Sequence, residues 1–293
     1  MAQNSYLLAL VGAGIARSLS PELHEREAQR HGVRCLYRLL DVDLPQEAPG
    51  EHLQDLVRSA GLLGFSGLNI THPYKRLVMP HSDELAPSAL RVGAVNTLVF
   101  RPDGTTVGHN TDLAGFAAAF ARGLPGVRLG HVVQLGAGGA GAAVAHAFLD
   151  LGVQRLSIAD PCADRAHDLA KELNEAAGAN WAEACTEEEA EARTQEADGL
   201  VNASPIGTEH HPRLPLDPQA LHAGLWVADV NYHPLRTPLL HAASALGCAV
   251  LHGGGMLVHQ AAASFRLFTG LEPKASHMLA DFADLTADRL AHT

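Results

Sequence analysis

A chain of 293 residues with 47% hydrophobic content is long enough for about two domains with cores of their own. Its formal charge of -11, with no Lys/Arg block anywhere, removes the electrostatic basis for gripping a nucleic-acid backbone. The N-terminal apolar run lacks a basic flank and is too short for a signal core or a membrane span, so a cytoplasmic protein with no membrane partner is expected.

Cys35, Cys162, Cys185 and Cys248 form no CxxC pair, and the 18 histidines include no HExxH spacing, so no metal is expected. His210-His211 before Pro212 reads as a loop.

In chain order, Tyr6 to Val11 predicts a strand that stops at Gly12-Ala13-Gly14, and a helix runs from Glu22 to about His31. Ser20 with Pro21 behind it suits a helix cap and first turn. The same geometry has a second use, because the hydroxyls of Ser18 and Ser20 beside a helix N-terminus make a site for a carboxylate. Cys35 to Val42 predicts a second strand, Pro45 to Ala60 a helix, and Phe65 to Ile70 a third strand.

Thr71-His72-Pro73-Tyr74-Lys75 follows, with Pro73 placed to open a helix and Lys75 in its first turn. A cation there opposes the helix dipole, and such broken local rules cluster at functional positions. The dipole would lower the ammonium from its ordinary value of about 10.4, toward use as a general acid and base. The competing reading is a solvated surface lysine. Leu85 to Val92 predicts a helix, and Gly93 to Phe100 enters a strand. Asp103-Gly104 supplies a hairpin turn, and the return strand leads into Gly108-His109-Asn110-Thr111-Asp112. Taken alone, Asp112 before Leu113 is a helix cap.

From His131 to Asp160 the pattern is strand, tight turn, helix, strand. The apolar run Val132 to Leu135 meets Gly136-Ala137-Gly138-Gly139-Ala140-Gly141, an alanine-rich helix runs to about Leu151, and a second strand ends on Asp160. That carboxylate falls about 20 residues after the last glycine, where a dinucleotide-binding βαβ unit holds its ribose ligand. Gly136 allows the sharp turn, Gly138 lets backbone approach a pyrophosphate, and Gly141 lets helix and strand pack closely. A glycine turn kept for packing alone is the bland alternative.

A helix from about Ala163 to Ala177 comes next, and then a Glu/Ala-rich stretch, Ala182 to Ala197, whose acidic residues read as a solvated face. Gly199 to Ala203 predicts a strand, with Ser204-Pro205-Ile206-Gly207 leaving its carboxyl end, where ligands sit in open α/β sheets. Leu225 to Val230 and Ala249 to Leu251 are strands flanking a helix from about Thr237 to Leu246. Gly253-Gly254-Gly255 marks a return to the first domain, completed by helices from about Met256 to Phe268 and Pro273 to Leu290.

These motifs together resemble the shikimate/quinate dehydrogenase family. The matching stretches are Ser18-Leu19-Ser20-Pro21 with His24, Asn69 to Lys75, Gly93 to Thr97, Gly108 to Asp112, the glycine loop, and Gly255-Met256-Leu257-Val258-His259-Gln260. They keep the family's order and cover almost the whole chain. The resemblance implies an α/β fold of two domains, with residues 1–111 and 253–293 binding substrate and residues 112–252 forming a Rossmann-type dinucleotide domain. It implies that Ser18 and Ser20 hold a substrate carboxylate, that Thr71, Asn96 and Gln260 bind ring hydroxyls with Tyr232 nearby, and that Lys75 and Asp112 are the catalytic pair. As an opposite charge, Asp112 would favour protonated Lys75 and so work against the helix dipole. Gly136, Ala137, Gly138, Gly139, Ala140, Gly141, Asp160, Ser204 and Gly255 would line the cofactor.

The implied activity is an NAD(P)-dependent oxidoreductase of aromatic amino acid biosynthesis, interconverting shikimate and 3-dehydroshikimate, with quinate as a second substrate. One departure bears on the cofactor. NADP-dependent members of the family commonly carry an Asn-Arg-Thr-like segment after the second cofactor strand, whereas this chain has Asp160-Pro161-Cys162. A carboxylate there accepts ribose hydroxyls and repels a 2′-phosphate, so NAD is expected, with Arg165 as the feature that would favour NADP. The alternatives are a quinate- or aminoshikimate-specific dehydrogenase and a cofactor-binding regulatory relative without turnover. A homodimer is as compatible with the sequence as a monomer.

Overall fold

The computed structural model describes residues 5–44 and 49–291. The chain divides into two compact units, Met1–Thr111 with Val258–Thr293, and Asp112–Leu257.

The first unit opens with β1 (Ser5–Gly12), α1 (Ser20–Arg30), β2 (Arg34–Asp41), α2 (Pro49–Leu62) and β3 (Gly67–Ile70). Residues 45–48 of the helix expected from Pro45 lie outside the described residues. Then come β4 (Glu84–Leu85), α3 (Pro87–Val92), β5 (Thr97–Phe100) and β6 (Thr106–His109). The sheet order is β2-β1-β3-β5-β6-β4, with β1, β2 and β3 parallel and β5 antiparallel to both neighbours. The β5–β6 hairpin turns at Gly104, whose φ of 87° suits a residue without a side chain.

Period-two alternation along β1 builds two cores at once, since successive side chains point to opposite faces. Ala9 and Val11 join Leu53, Val57 and Ala60 on one face of α2, whose spacing of four and three places them in a single stripe. Leu8 and Leu10 join Tyr37 and Phe268. Leu8 is fully buried, and such a side chain contributes about 1.5–3 kcal/mol by leaving water. A side chain on Gly67 would collide with the Phe268 ring, so this glycine sets how closely the last helices approach the sheet.

The second unit contains α4 (Asp112–Gly123), β7 (His131–Leu135), α5 (Gly139–Leu151), β8 (Arg155–Ala159), α6 (Ala163–Ala177), β9 (Ala182–Cys185), α7 (Glu187–Thr194), β10 (Gly199–Asn202), β11 (Trp226–Asp229), α8 (Pro238–Ala245) and β12 (Ala249–Leu251). Helices α9 (Gly254–Thr269) and α10 (Ala275–Ala291) complete the chain. Its sheet is wholly parallel, in the order β12-β11-β10-β7-β8-β9, so the winding reverses between β7 and β10. That reversal opens a crevice at the carboxyl ends of these two strands, the usual place for a ligand in such sheets. Phe116 and Phe120 of α4 pack edge-on against Phe148 of α5, with ring centroids 5.2 and 5.6 Å apart.

Two expectations change. Thr71 to Val78 forms consecutive turns instead of a helix, so the segment that carries Lys75 supplies no helix N-terminus of its own. The Glu/Ala-rich stretch supplies a short edge strand, β9, before α7, which a capping box between Thr186 and Glu189 opens. Glu187, Glu188 and Glu189 are exposed there.

A polar chain crosses β7, β8 and β9. Arg155 Nη2 donates to His131 Nδ1 at 2.9 Å, which leaves the ring proton on Nε2 to donate to Ser157 Oγ at 2.9 Å. Ser157 Oγ donates in turn to Glu183 at 3.1 Å. Burial, with the Arg155 charge beside it, holds the His131 imidazole below its ordinary 6.5. Such a group weakens the fold as pH falls through 6.5, because the unfolded chain takes up the proton first. Replacing His131 by Gln, a neutral donor and acceptor, is expected to shrink the loss of Tm between pH 7 and pH 5. An unchanged loss would remove His131 from this role.

Candidate functional site

Three loops meet at the carboxyl ends of the second sheet. In the first, β7 ends at Gly136, whose φ of 103° lies in the left-handed region. A Cβ on Gly136 would lie 2.8 Å from the backbone of Ala203 and Ser204, and one on Gly141 would collide with the Gly136 carbonyl. Both glycines are therefore required by close approach. Gly138 precedes α5 as its N-cap, with no side-chain cap, and a Cβ there would meet nothing within 4 Å. Because Ala142 N already donates to Gly138 O at 2.8 Å, the amides of Gly139, Ala140 and Gly141 are those left without an intrahelical acceptor. Open space over a bare, uncapped helix N-terminus is what a pyrophosphate needs, so these residues fit a dinucleotide.

Asp160 stands at the end of β8 beside this turn. Its Oδ2 accepts from Ala137 N at 2.8 Å and its Oδ1 from Cys162 N at 2.9 Å. Each oxygen keeps a lone pair for a ribose hydroxyl. The Arg165 guanidinium, half exposed, lies 3.9 Å from Asp160 Oδ1.

The loop carrying Ser204 is held by residues that the sequence reading did not single out. Asn202 Oδ1 accepts from Ser204 N at 3.1 Å and from Ser204 Oγ at 2.6 Å. Asn202 Nδ2 reaches Ile206 O at 2.8 Å and the Asp229 carboxylate at 3.2 Å. Asp229, 2% exposed, also accepts from Asn231 N at 3.0 Å and Thr237 Oγ1 at 2.8 Å. Burial raises its carboxyl to about 6, against the pull of these hydrogen bonds. Asn231 N and Asp229 thereby fix the turn that leads to Tyr232, whose ring lies 4.5 Å from that of His233. Gly253 packs on the Val230 carbonyl and so sets the start of α9, where Gly255 lies.

In the first unit the carboxyl ends of β1, β2 and β3 converge. Asp41, at the end of β2, accepts from Gly14 N at 2.8 Å and Ile15 N at 3.1 Å, which holds the loop leading to Ser18. The N-cap of α1 is Leu19, so Ser20 is the first helical residue and not the cap expected from sequence. Ser18 Oγ donates to Ser20 Oγ at 3.1 Å and accepts from Ser20 N at 3.2 Å, and both serines are buried. Thr71 N donates to Val11 O at 2.9 Å, and any side chain on Gly12 would collide with Thr71.

Lys75 is half-buried and pinned through its backbone, where its carbonyl accepts from Val95 N at 2.8 Å. Its neighbour Tyr74 is buried, with its hydroxyl donating to Val42 O at 2.8 Å. The next residue after Val95 is the hub of a buried amide and hydroxyl cluster. Asn96 Oδ1 accepts from Thr111 N at 2.8 Å and Thr97 Oγ1 at 2.9 Å, and Asn96 Nδ2 donates to Thr111 Oγ1 at 2.9 Å. Thr111 Oγ1 lies 3.5 Å from Gln260 Oε1, which ties Gln260 to the same cluster. Asn69, braced by the Tyr37 hydroxyl at 2.9 Å, donates to Thr97 at 3.2 Å. Thr111, Thr97 and Asn69 were quoted as motif residues without a role, and Tyr37 gave no signal at all. Asp112, buried, is the first residue of α4. Among the described residues no cluster of His, Cys, Asp or Glu could hold a metal ion, and no helix is long and apolar enough to cross a membrane.

Strand order, glycine turn and terminal carboxylate define a two-unit α/β protein with a Rossmann-type dinucleotide-binding unit. Comparison with known proteins narrows that class. The shikimate dehydrogenase substrate binding domain matches residues 10–98, and the shikimate 5′-dehydrogenase C-terminal domain matches residues 253–280. A shikimate dehydrogenase (NADP(+)) of Streptomyces avermitilis is 56% identical over 285 residues, 97% of each chain. A quinate/shikimate dehydrogenase (NAD(+)) of Corynebacterium glutamicum strain R is 46% identical over 282 residues, 96% of this chain and 99% of the other. The solved structure of a quinate dehydrogenase from Corynebacterium glutamicum in complex with NAD superposes with a TM-score of 0.87 at 45% identity, covering 96% of this chain and 100% of that one. The chain belongs to the shikimate/quinate dehydrogenase family.

Truncating Asn96 to Ala would strand the Thr111 amide and the Thr97 hydroxyl in a buried site. The expected cost is about 2–3 kcal/mol, seen as a fall in Tm of roughly 4–10 °C by calorimetry. A Tm within about one degree of the parent would show that the cluster does not depend on Asn96.

Proposed function

We propose that this chain is a shikimate dehydrogenase that interconverts shikimate and 3-dehydroshikimate, with NAD as its preferred cofactor. The observation that carries the reading is the bond between the Lys75 carbonyl and Val95 N, which sets a lysine beside the buried amide and hydroxyl cluster of Asn96. A polyhydroxylated ring needs such donors and acceptors, and a proton-transfer group must sit at a defined distance from them. The division of labour follows the two domains, residues 1–111 with 253–293 for substrate and residues 112–252 for the dinucleotide.

When bound, the nicotinamide supplies the hydride acceptor of the oxidation. Neutral Lys75 takes the proton of the ring hydroxyl as its carbon is oxidised, and the ammonium returns it in the reverse direction. Asp112 orients the lysine nitrogen and accepts from a substrate hydroxyl. Ser18 and Ser20 donate to the substrate carboxylate, while Thr71, Asn96, Tyr232 and Gln260 hold the ring. Gly136 to Gly141 and Ser204 bind the pyrophosphate and nicotinamide portions, Gly255 permits close approach, and Asp160 takes the adenosine ribose.

The preference for NAD rests on Asp160, because a carboxylate accepts two ribose hydroxyls and repels a 2′-phosphate. Arg165 beside it is the group through which NADP would bind, and the similarity to the Streptomyces avermitilis enzyme gives that reading weight. Quinate differs from shikimate by a saturated ring and a hydroxyl next to the carboxylate, so its discrimination falls on Ser18 and Ser20. The similarity to a quinate/shikimate dehydrogenase supports it as a second substrate.

The test is dinucleotide reduction followed by absorbance, with shikimate and quinate each paired with NAD+ and NADP+. Shikimate with NAD+ is expected to give the highest kcat/KM, and a higher value with NADP+ would overturn the cofactor assignment. Lys75→Ala is expected to lower kcat by roughly 10²–10⁴-fold with a much smaller change in KM. Near-parental turnover in that variant would remove Lys75 from its role.

A further inference from the structure

Gln134 is a side-chain amide with no exposure, between Val133 and Leu135 in the central strand of a parallel sheet. Apolar residues are the rule at such a position, since both faces of the sheet are covered. Its Oε1 is buried and finds no hydrogen-bond partner among the described residues, which costs stability that a leucine or methionine would not lose. Nε2 makes a different kind of contact. It donates to Gly136 O and to Gly141 O, both at 2.9 Å, and so closes the glycine turn on itself from beneath.

The Gly136 carbonyl and the Ala137 amide belong to one rigid peptide plane and point in opposite directions. The carbonyl end is held by Gln134, and the amide end donates to Asp160 Oδ2 at 2.8 Å. Glycine has the widest backbone freedom of any residue, so Gly136 itself does little to choose the tilt of that plane. We propose that Gln134 is a positioning residue for the dinucleotide site, clamping the Gly136–Ala137 peptide from one side so that Asp160 is oriented from the other. This rests on the reading of Asp160 and the glycine turn as the dinucleotide site. Gln134 touches no ligand in this scheme and acts only through the peptide.

The two costs at this site offset each other. Removing Gln134 strands the Gly136 carbonyl but relieves the unpaired Oε1, so the fold loses little while the clamp is lost. Gln134→Met, with Gln134→Leu as a second apolar variant of similar size, is to be compared with the parent for Tm and for the dissociation constants of NAD+ and shikimate, measured by calorimetry on the full chain. The expected result is an NAD+ dissociation constant raised about tenfold, a shikimate constant within about twofold, and a nearly unchanged Tm. Asp160→Ala and the double variant complete a cycle. If both side chains act on one peptide, the loss in the double variant is smaller than the product of the single losses.

An unchanged NAD+ constant in both Gln134 variants overturns the inference. So does equal weakening of both ligands with a fallen Tm, which marks a packing role, and so do strictly multiplicative losses in the cycle. Failure of the parent to bind either NAD+ or NADP+ is a distinct outcome, which removes the dinucleotide reading and this inference with it.

Discussion

The approach of the Gly136 carbonyl to the backbone of Gly141 is the constraint on which the second unit turns. At that distance no side chain is tolerated on Gly141, and the backbone of Ala203 and Ser204 excludes one on Gly136. Everything else near the turn is arranged to hold a backbone that glycine leaves loose. Gln134 holds it from below, Asp160 from the side, and the Ala203–Ser204 backbone across the switch between β7 and β10. The buried amides and carboxylate around Ser204 extend the same arrangement to the next loop, where three donors face the buried Asp229 carboxylate.

The first unit solves a different problem. Its buried polar groups are amides and hydroxyls, which are costly to bury singly and tolerable only when they satisfy one another. Asn96, Thr97, Thr111 and Asn69 do so in the middle of the sheet, where parallel strands give way to the antiparallel hairpin. A network of this kind resists rotation of any one member. The Lys75 segment, lacking regular structure of its own, borrows its position from Val95 and from the buried Tyr74.

Much of the fold was legible because its signals are local. The glycine turn, the hairpin at Asp103-Gly104, the carboxylate at Asp160 and the family motifs are each contained in a few consecutive residues. Two local readings failed for an identifiable reason. Pro73 suits a first helical turn, yet Thr71 to Val78 forms turns, bonded to Val11 of β1 and to Val95 in the loop before β5. Ser20 has the chemistry of a cap, yet its hydroxyl is engaged with Ser18 and the cap position falls on Leu19. The edge strand β9 was hidden because a glutamate- and alanine-rich composition says little about pairing with β8.

By itself the sequence determined the class: two α/β units, a dinucleotide turn, and a lysine and a carboxylate in motifs shared with the shikimate/quinate dehydrogenases. Those features rest on backbone freedom and on side-chain chemistry, which residue identity specifies directly. Only the tertiary structure decided which polar residues hold the others in place. Gln134, Asp41, Asn202 and Asp229 lie in strands or at strand ends that read as ordinary, and their partners are remote in the chain or around a turn. Hydrogen bonds of that kind depend on strand order and register, and neither is written in any short run of residues.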